Sequence, residues 1–169
     1  MRLIVNRILP LVVIQAACLL GTASCSKSSN NNSGSESMTA SVNNSAWTAN
    51  YAVAGSYTVA ISGFDIVGTQ IKSGDTTGFS MTFYSPITVN KAINSDTTSS
   101  IDIQYVDGKT GALYDGGLLA GHSILTVTSY DSSNFKIGGT FSGVLYNVNS
   151  GTDSVTVTGG TFSTSFTLQ

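Results

Sequence analysis

The chain has 169 residues, 41% of them hydrophobic and only 9% charged, with seven basic residues against nine acidic and a formal net charge of −2 at pH 7. So sparse and mixed a charge set forms no concentrated basic footprint, which excludes nucleic-acid binding as a primary role. Both cysteines, Cys18 and Cys25, fall near the start, so the rest of the chain has no disulfide and must be held by its core.

Residues 1–24 have the layout of a secretory signal peptide: Arg2 and Arg7, an apolar run from Ile8 to Leu20, then Gly21, Thr22, Ala23 and Ser24. The run is too short, and too interrupted by Pro10 and Gln15, for a comfortable membrane span, and it is set aside from the fold. Cys18 inside it reads as a small hydrophobe discarded with the signal. Cys25 follows the small residues, and this junction resembles a bacterial lipoprotein signal, in which the cysteine is acylated and becomes the first mature residue. Thr22 stands where such signals usually carry leucine, as in the looser versions of the Bacteroidetes. The resemblance implies lipid attachment at Cys25 and an outer-membrane location.

Residues 25–37 continue as CSKSSNNNSGSES, too polar to order themselves, and are expected to form a tether. Its twelve residues after the cysteine reach roughly 40 Å when extended. An acidic cluster like that of surface-export signals is missing just after Cys25, so the periplasmic and outward-facing sides both stay open.

Residues 38–169 read as a single β-rich domain. Alternating apolar residues are separated by Gly, Asn, Asp and Ser, and no amphipathic helix of useful length is present. AWTANYAV places Trp47, Ala49, Tyr51 and Val53 on one face, YTVAISG places Tyr57, Val59 and Ile61, FSMTFY places Phe79, Met81 and Phe83, and IDIQYV places Ile101, Ile103 and Tyr105. The loop-rich region is expected at Asp107–His122, with a short strand over Ala112–Tyr114. YDSSN (130–134) and NSGTD (149–153) read as turns within a closing three-strand meander. GGTFS occurs twice, at 138–142 and 159–163, and the apolar parity shifts from Val155 and Val157 to Phe162, Phe166 and Leu168, as a bulge or bend requires. About nine to eleven strands without crossover helices predict an all-β fold, an antiparallel β-sandwich or partly closed barrel.

The opening MTASVNNSAWTAN and the closing LTVTSYDSSNFKIGGTFSGVLYN and VTVTGGTFS resemble the corresponding motifs of the DUF6252-like family, Bacteroidetes lipoproteins with a domain of unknown function. Asn44 and Gly143 depart from the family's usual glycine and second aromatic. The resemblance implies a β-rich lipoprotein domain and brings no catalytic residues.

Candidate chemistry is thin. His122 is the only histidine, and GHS is not a nucleophile elbow. Asp102, Asp107 and Asp115 are the carboxylates closest in sequence, the set an acid–base pair for glycoside hydrolysis would draw on. Asp107 and Asp115 nevertheless head DGKTG and DGG, where turns alone favour aspartate. No cofactor is expected; Ca²⁺ would suit these carboxylates, although the spacing matches no dedicated calcium loop. The better candidates for ligand contact are Tyr84, Tyr114 and Tyr130, beside Pro86 or turn signals, with Asp107 and Asp115 as hydrogen-bonding partners. The leading expectation is a non-enzymatic, lipid-anchored envelope protein acting as a binding or structural module. A carbohydrate-binding module using exposed aromatics comes second, a glycoside-active enzyme third, and pairing of a sheet edge with an envelope protein fourth.

Overall fold

A computed structural model describes residues 36–117 and 121–169. The predicted signal segment, Cys25 and most of the polar tract lie outside the described residues. Eleven strands follow in chain order: β1 (Ser37–Val42), β2 (Ser45–Thr48), β3 (Ala52–Thr58), β4 (Gly63–Lys72), β5 (Asp75–Tyr84), β6 (Ala92–Asn94), β7 (Ile101–Asp107), β8 (Ala112–Asp115), β9 (His122–Asp131), β10 (Lys136–Asn147) and β11 (Ser154–Leu168). Among the described residues the only helical element is a 3₁₀ turn at Val59–Ile61.

The hydrogen-bonded strands form a closed circuit, β11–β3–β4–β5–β7–β8–β10 and back to β11. β1 and β2 extend outward from β11, and β9 and β6 from β10. The circuit is flattened into two facing layers, β2-β1-β11-β10-β9-β6 and β3-β4-β5-β7-β8. They join where the end of β11 meets β3 and the end of β10 meets β8. Sandwich and partly closed barrel, the two expected alternatives, are thus combined. One pairing departs from the antiparallel expectation: β11 and β3 run parallel, with Phe166, Thr167 and Leu168 beside Gly55, Ser56 and Tyr57.

Alternation explains the core. Phe79, Met81 and Phe83 on β5, and Ile101, Ile103 and Tyr105 on β7, are all buried, because each strand has neighbours on both sides and shows one face to the opposite layer. Rings meet between layers: Trp47 is edge-on to Phe79 at 4.8 Å, and Phe141 approaches the same ring at 5.2 Å. Trp47 also donates its indole N–H to Thr77 Oγ1 at 2.8 Å. The parity change in β11 is a bulge, with Ser41 opposite Thr158 but Thr39 opposite Thr161, and Gly159 at φ 58. It lets Val155 and Val157 before it, and Phe162 and Phe166 after it, all face the core.

Four expectations are corrected. Val59 and Ile61 do not share a strand face with Tyr57: β3 ends at Thr58, the 3₁₀ turn follows, and both side chains are exposed. Tyr51 is 73% exposed, because Asn50 leaves the strand path to bond both backbone groups of Ile71 and breaks the alternation between β2 and β3. Leu168 lies beyond the core and is exposed. Irregular chain is not confined to Asp107–His122, since the segment between β5 and β7 holds only the three residues of β6.

Candidate functional site

The end of the sandwich at which β11 finishes is lined with aromatic rings. Phe166 is their hub: Phe64 meets it at 5.2 Å, Phe135 at 5.6 Å and Tyr130, stacked nearly parallel, at 6.0 Å. The β9–β10 hairpin delivers two of them. Asp131 Oδ1 accepts the backbone N–H groups of Ser133 and Asn134, each at 3.0 Å, and Oδ2 accepts the Asn134 amide at 2.7 Å. These bonds favour the ionised carboxylate and hold its pKa below the usual value. The turn leaves Phe135 at φ 52, left-handed backbone that a bulky side chain rarely adopts. Phe135 and Tyr130 are nonetheless 42% and 41% exposed.

Other exposed apolar groups continue this rim. Leu168 precedes Gln169, whose carbonyl accepts the Val59 N–H at 3.1 Å and whose N–H donates to Tyr57 O at 2.9 Å. A Cβ on Gly63 would lie 3.1 Å from the Tyr84 ring and 3.2 Å from Ile61 Cδ1, which brings those two side chains together.

Next to Tyr84 opens a cleft of about 340 Å³, walled by Tyr84, Pro86 and Ile93 on its apolar side and Lys91, Asn94 and Thr97 on its polar side. Its outer wall is pinned by backbone bonds from Asn90 N to Val127 O and from Ser95 N to Ser123 O. An aromatic face beside amide and hydroxyl groups is the chemistry that receives a sugar ring.

The carboxylates are arranged differently. Gln104 Nε2 donates to Asp102 Oδ2 at 3.0 Å and to Asp115 Oδ2 at 2.9 Å, and the Gly117 N–H donates to Asp115 Oδ1 at 2.8 Å. Burial, followed by the neighbouring Asp115 charge, raises the Asp102 pKa to about 6. Because Asp115 is only 3% exposed, a substrate has little access to it, and the trio ties β7 to β8. Asp107 is apart from the pair and caps its own turn, accepting from Lys109 N and Thr110 Oγ1. His122 Nδ1 lies 2.6 Å from Asp96 Oδ2, in a largely solvent-exposed pair. Among the described residues no three His, Cys, Asp or Glu side chains converge to hold a metal.

The five predicted contact residues therefore do not form one site. Tyr84 and Tyr130 share the rim, with Tyr84 also in the cleft. Tyr114 is 7% exposed, a core residue facing Tyr105, and its hydroxyl donates to Asp153 at 2.9 Å. That bond to an acceptor, with burial, raises the phenol pKa. Its neighbour Asp115 is locked by Gln104, and Asp107 serves a turn. Sequence reading passed over Phe135, whose signal was an apolar ring directly after the turn formers of YDSSN. It also passed over the Ser85–Ser100 segment, whose weak alternation gave no strand pattern. No protein-family model matches the chain, and neither the curated proteins nor the solved structures compared with it include a match.

Proposed function

We propose that the protein is a lipid-anchored envelope protein, attached through an acyl group on Cys25, whose β-sandwich is a non-enzymatic binding or structural module. The observation that carries this reading is the order of segments: a signal-type apolar run, Cys25, a polar tract, and a self-contained set of strands beginning at Ser37. Kinship with the DUF6252-like lipoproteins belongs to the same proposal and rests on the opening and closing motifs. Metabolic labelling of cells with an alkyne fatty acid tests the anchor: label is expected on the wild type and lost in Cys25→Ala. A wild-type protein that takes up no label sinks the reading. Protease treatment of intact cells then assigns the side of the membrane.

A second reading, glycan binding, is favoured by the cleft beside Tyr84, where a partly exposed ring (38%) adjoins Lys91, Asn94 and Thr97. A glycan array with wild type and Tyr84→Ala tests it. Stacking of one ring on a sugar predicts about a tenfold loss in the variant, and an array without any retained glycan would dismiss it.

A further inference from the structure

The two ends of the sandwich differ in chemistry. At one end are the turns Ser73–Gly74, Gly108–Gly111 and Val148–Asp153, rich in Ser, Gly, Thr and Asn, with Tyr51, Ile71 and Val106 exposed near the adjoining strand ends but no cluster of aromatic rings. At the other, Tyr130 and Phe135 are exposed against Phe166, and Val59, Ile61, Tyr84 and Leu168 are exposed at the same end, beside Gly63 and Gln169. From these observations we infer that this rim is a membrane-contact surface, seating the domain against the headgroup and upper acyl region of the phospholipid bilayer that holds its lipid. The inference rests on the anchor at Cys25 proposed above.

Three features select a bilayer as the occupant. First, β1 runs antiparallel to β11, with Ser37 beside Ser163 and Val42 beside Val157, while β11 continues from Ser163 to the rim at Leu168. The start of β1 is thus its end nearer the rim, and the eleven residues from Ser26 to Glu36 allow roughly 35–40 Å of reach. A bilayer attached to Cys25 is then always within chain length, so a patch too small to bind free vesicles tightly still makes contact at high effective concentration.

Second, Phe135 occupies a left-handed backbone position where glycine would be relaxed, yet the residue there is a large, exposed ring. One edge of the ring packs on Phe166 while 42% of the residue stays exposed, so the strained position holds an aromatic group at the open surface of the rim. Third, the hairpin's charges, Asp131 and Lys136, face one another across the strand pair, so they give the rim no net charge to oppose lipid. Aromatic rings with a polar handle, such as Tyr84 and Tyr130, suit the membrane–water boundary.

The test uses the full-length protein purified from membranes and reconstituted into phosphatidylethanolamine–phosphatidylglycerol vesicles. Acylated Cys25 leaves no competing thiol, so Phe135→Cys and Ile61→Cys can each carry a polarity-sensitive fluorophore, with Lys72→Cys and Asn149→Cys as probes of the opposite end. The expected result is a blue shift and several-fold quenching by shallow spin-labelled lipid at 135 and 61, and neither at 72 and 149. Protein that floats with vesicles but keeps water-like emission at 135 and 61 overturns this inference while leaving the anchor intact. A blue shift that grows with protein density and resists lipid quenchers overturns it in favour of a second copy. Protein without an acyl group by mass spectrometry that fails to float overturns both readings.

Discussion

Phe162 lies against Gly139 across the β10–β11 pair, and two residues away Phe141 lies against Gly160 in the mirror arrangement. The two GGTFS segments therefore pair with each other, antiparallel about Thr140 and Thr161, each phenylalanine covering the other segment's glycine. A Cβ on Gly160 would stand 2.5 Å from Phe141 O and 2.7 Å from its ring, whereas one on Gly159 would meet nothing. Gly160→Ala is expected to destabilise the fold by about 2–3 kcal/mol through overpacking. Gly159→Ala should cost only about 1–2 kcal/mol for its positive φ. Urea unfolding of the two variants reads the order; a larger loss at Gly159 would refute the packing account.

Asp102 sets a pH dependence of known sign. Its folded-state pKa of about 6 stands above the ordinary 3.8, so the folded protein binds a proton that the unfolded chain has released. The associated stability is fully present below the unfolded value and is lost as pH rises through about 6. Asp102→Asn is uncharged, and its amide can donate to Asp115. It should raise Tm at pH 8 and flatten the profile between pH 5 and 7. Thermal melts across that range check this, and a profile unchanged by the substitution would assign the slope to other groups.

Trp47 is the only tryptophan and is buried against Phe79. Its emission should be blue in the folded protein and shift red in a single transition on unfolding. Trp47→Ala should cost about 3–5 kcal/mol as a large-to-small core change. Thr77→Val should cost about 1–2 kcal/mol by stranding the indole N–H.

Tyr114 gives a spectroscopic check of its burial. Its hydroxyl donates to Asp153, which with burial raises its pKa. In an alkaline titration followed by phenolate absorbance, Tyr114→Phe should remove a late-titrating component. Removal of an early component would place the ring in water.

What the sequence disclosed depended on how far each strand's surroundings extend. Strands β5 and β7 are paired along nearly their whole lengths, so the alternation of Phe79–Phe83 and Ile101–Tyr105 maps directly onto burial. The parity slip after Val157 likewise exposed the bulge, because a slip is itself a local pattern. Val59 and Ile61 misled because β3 stops where its partner β11 runs out, beside Gln169, and a pattern in one segment cannot register the length of a strand more than 90 residues later. Asp115 looked like a turn former for the same reason: Gln104, eleven residues earlier, assigns it to an inter-strand network. The rim was hidden because its members come from five separate stretches, each of which carries only one or two apolar residues.

The parallel pairing of β11 with β3 has a consequence for the order of assembly. β11 is the latest strand in the chain, and it supplies an edge to β1, β3 and β10 together. In the order of the chain, β10 and β1 wait for residues 154–165 of β11, and β3 waits for Phe166–Leu168 at its very end. Non-local closure of this kind is slow, and it makes the last strand in the chain the one that completes the circuit.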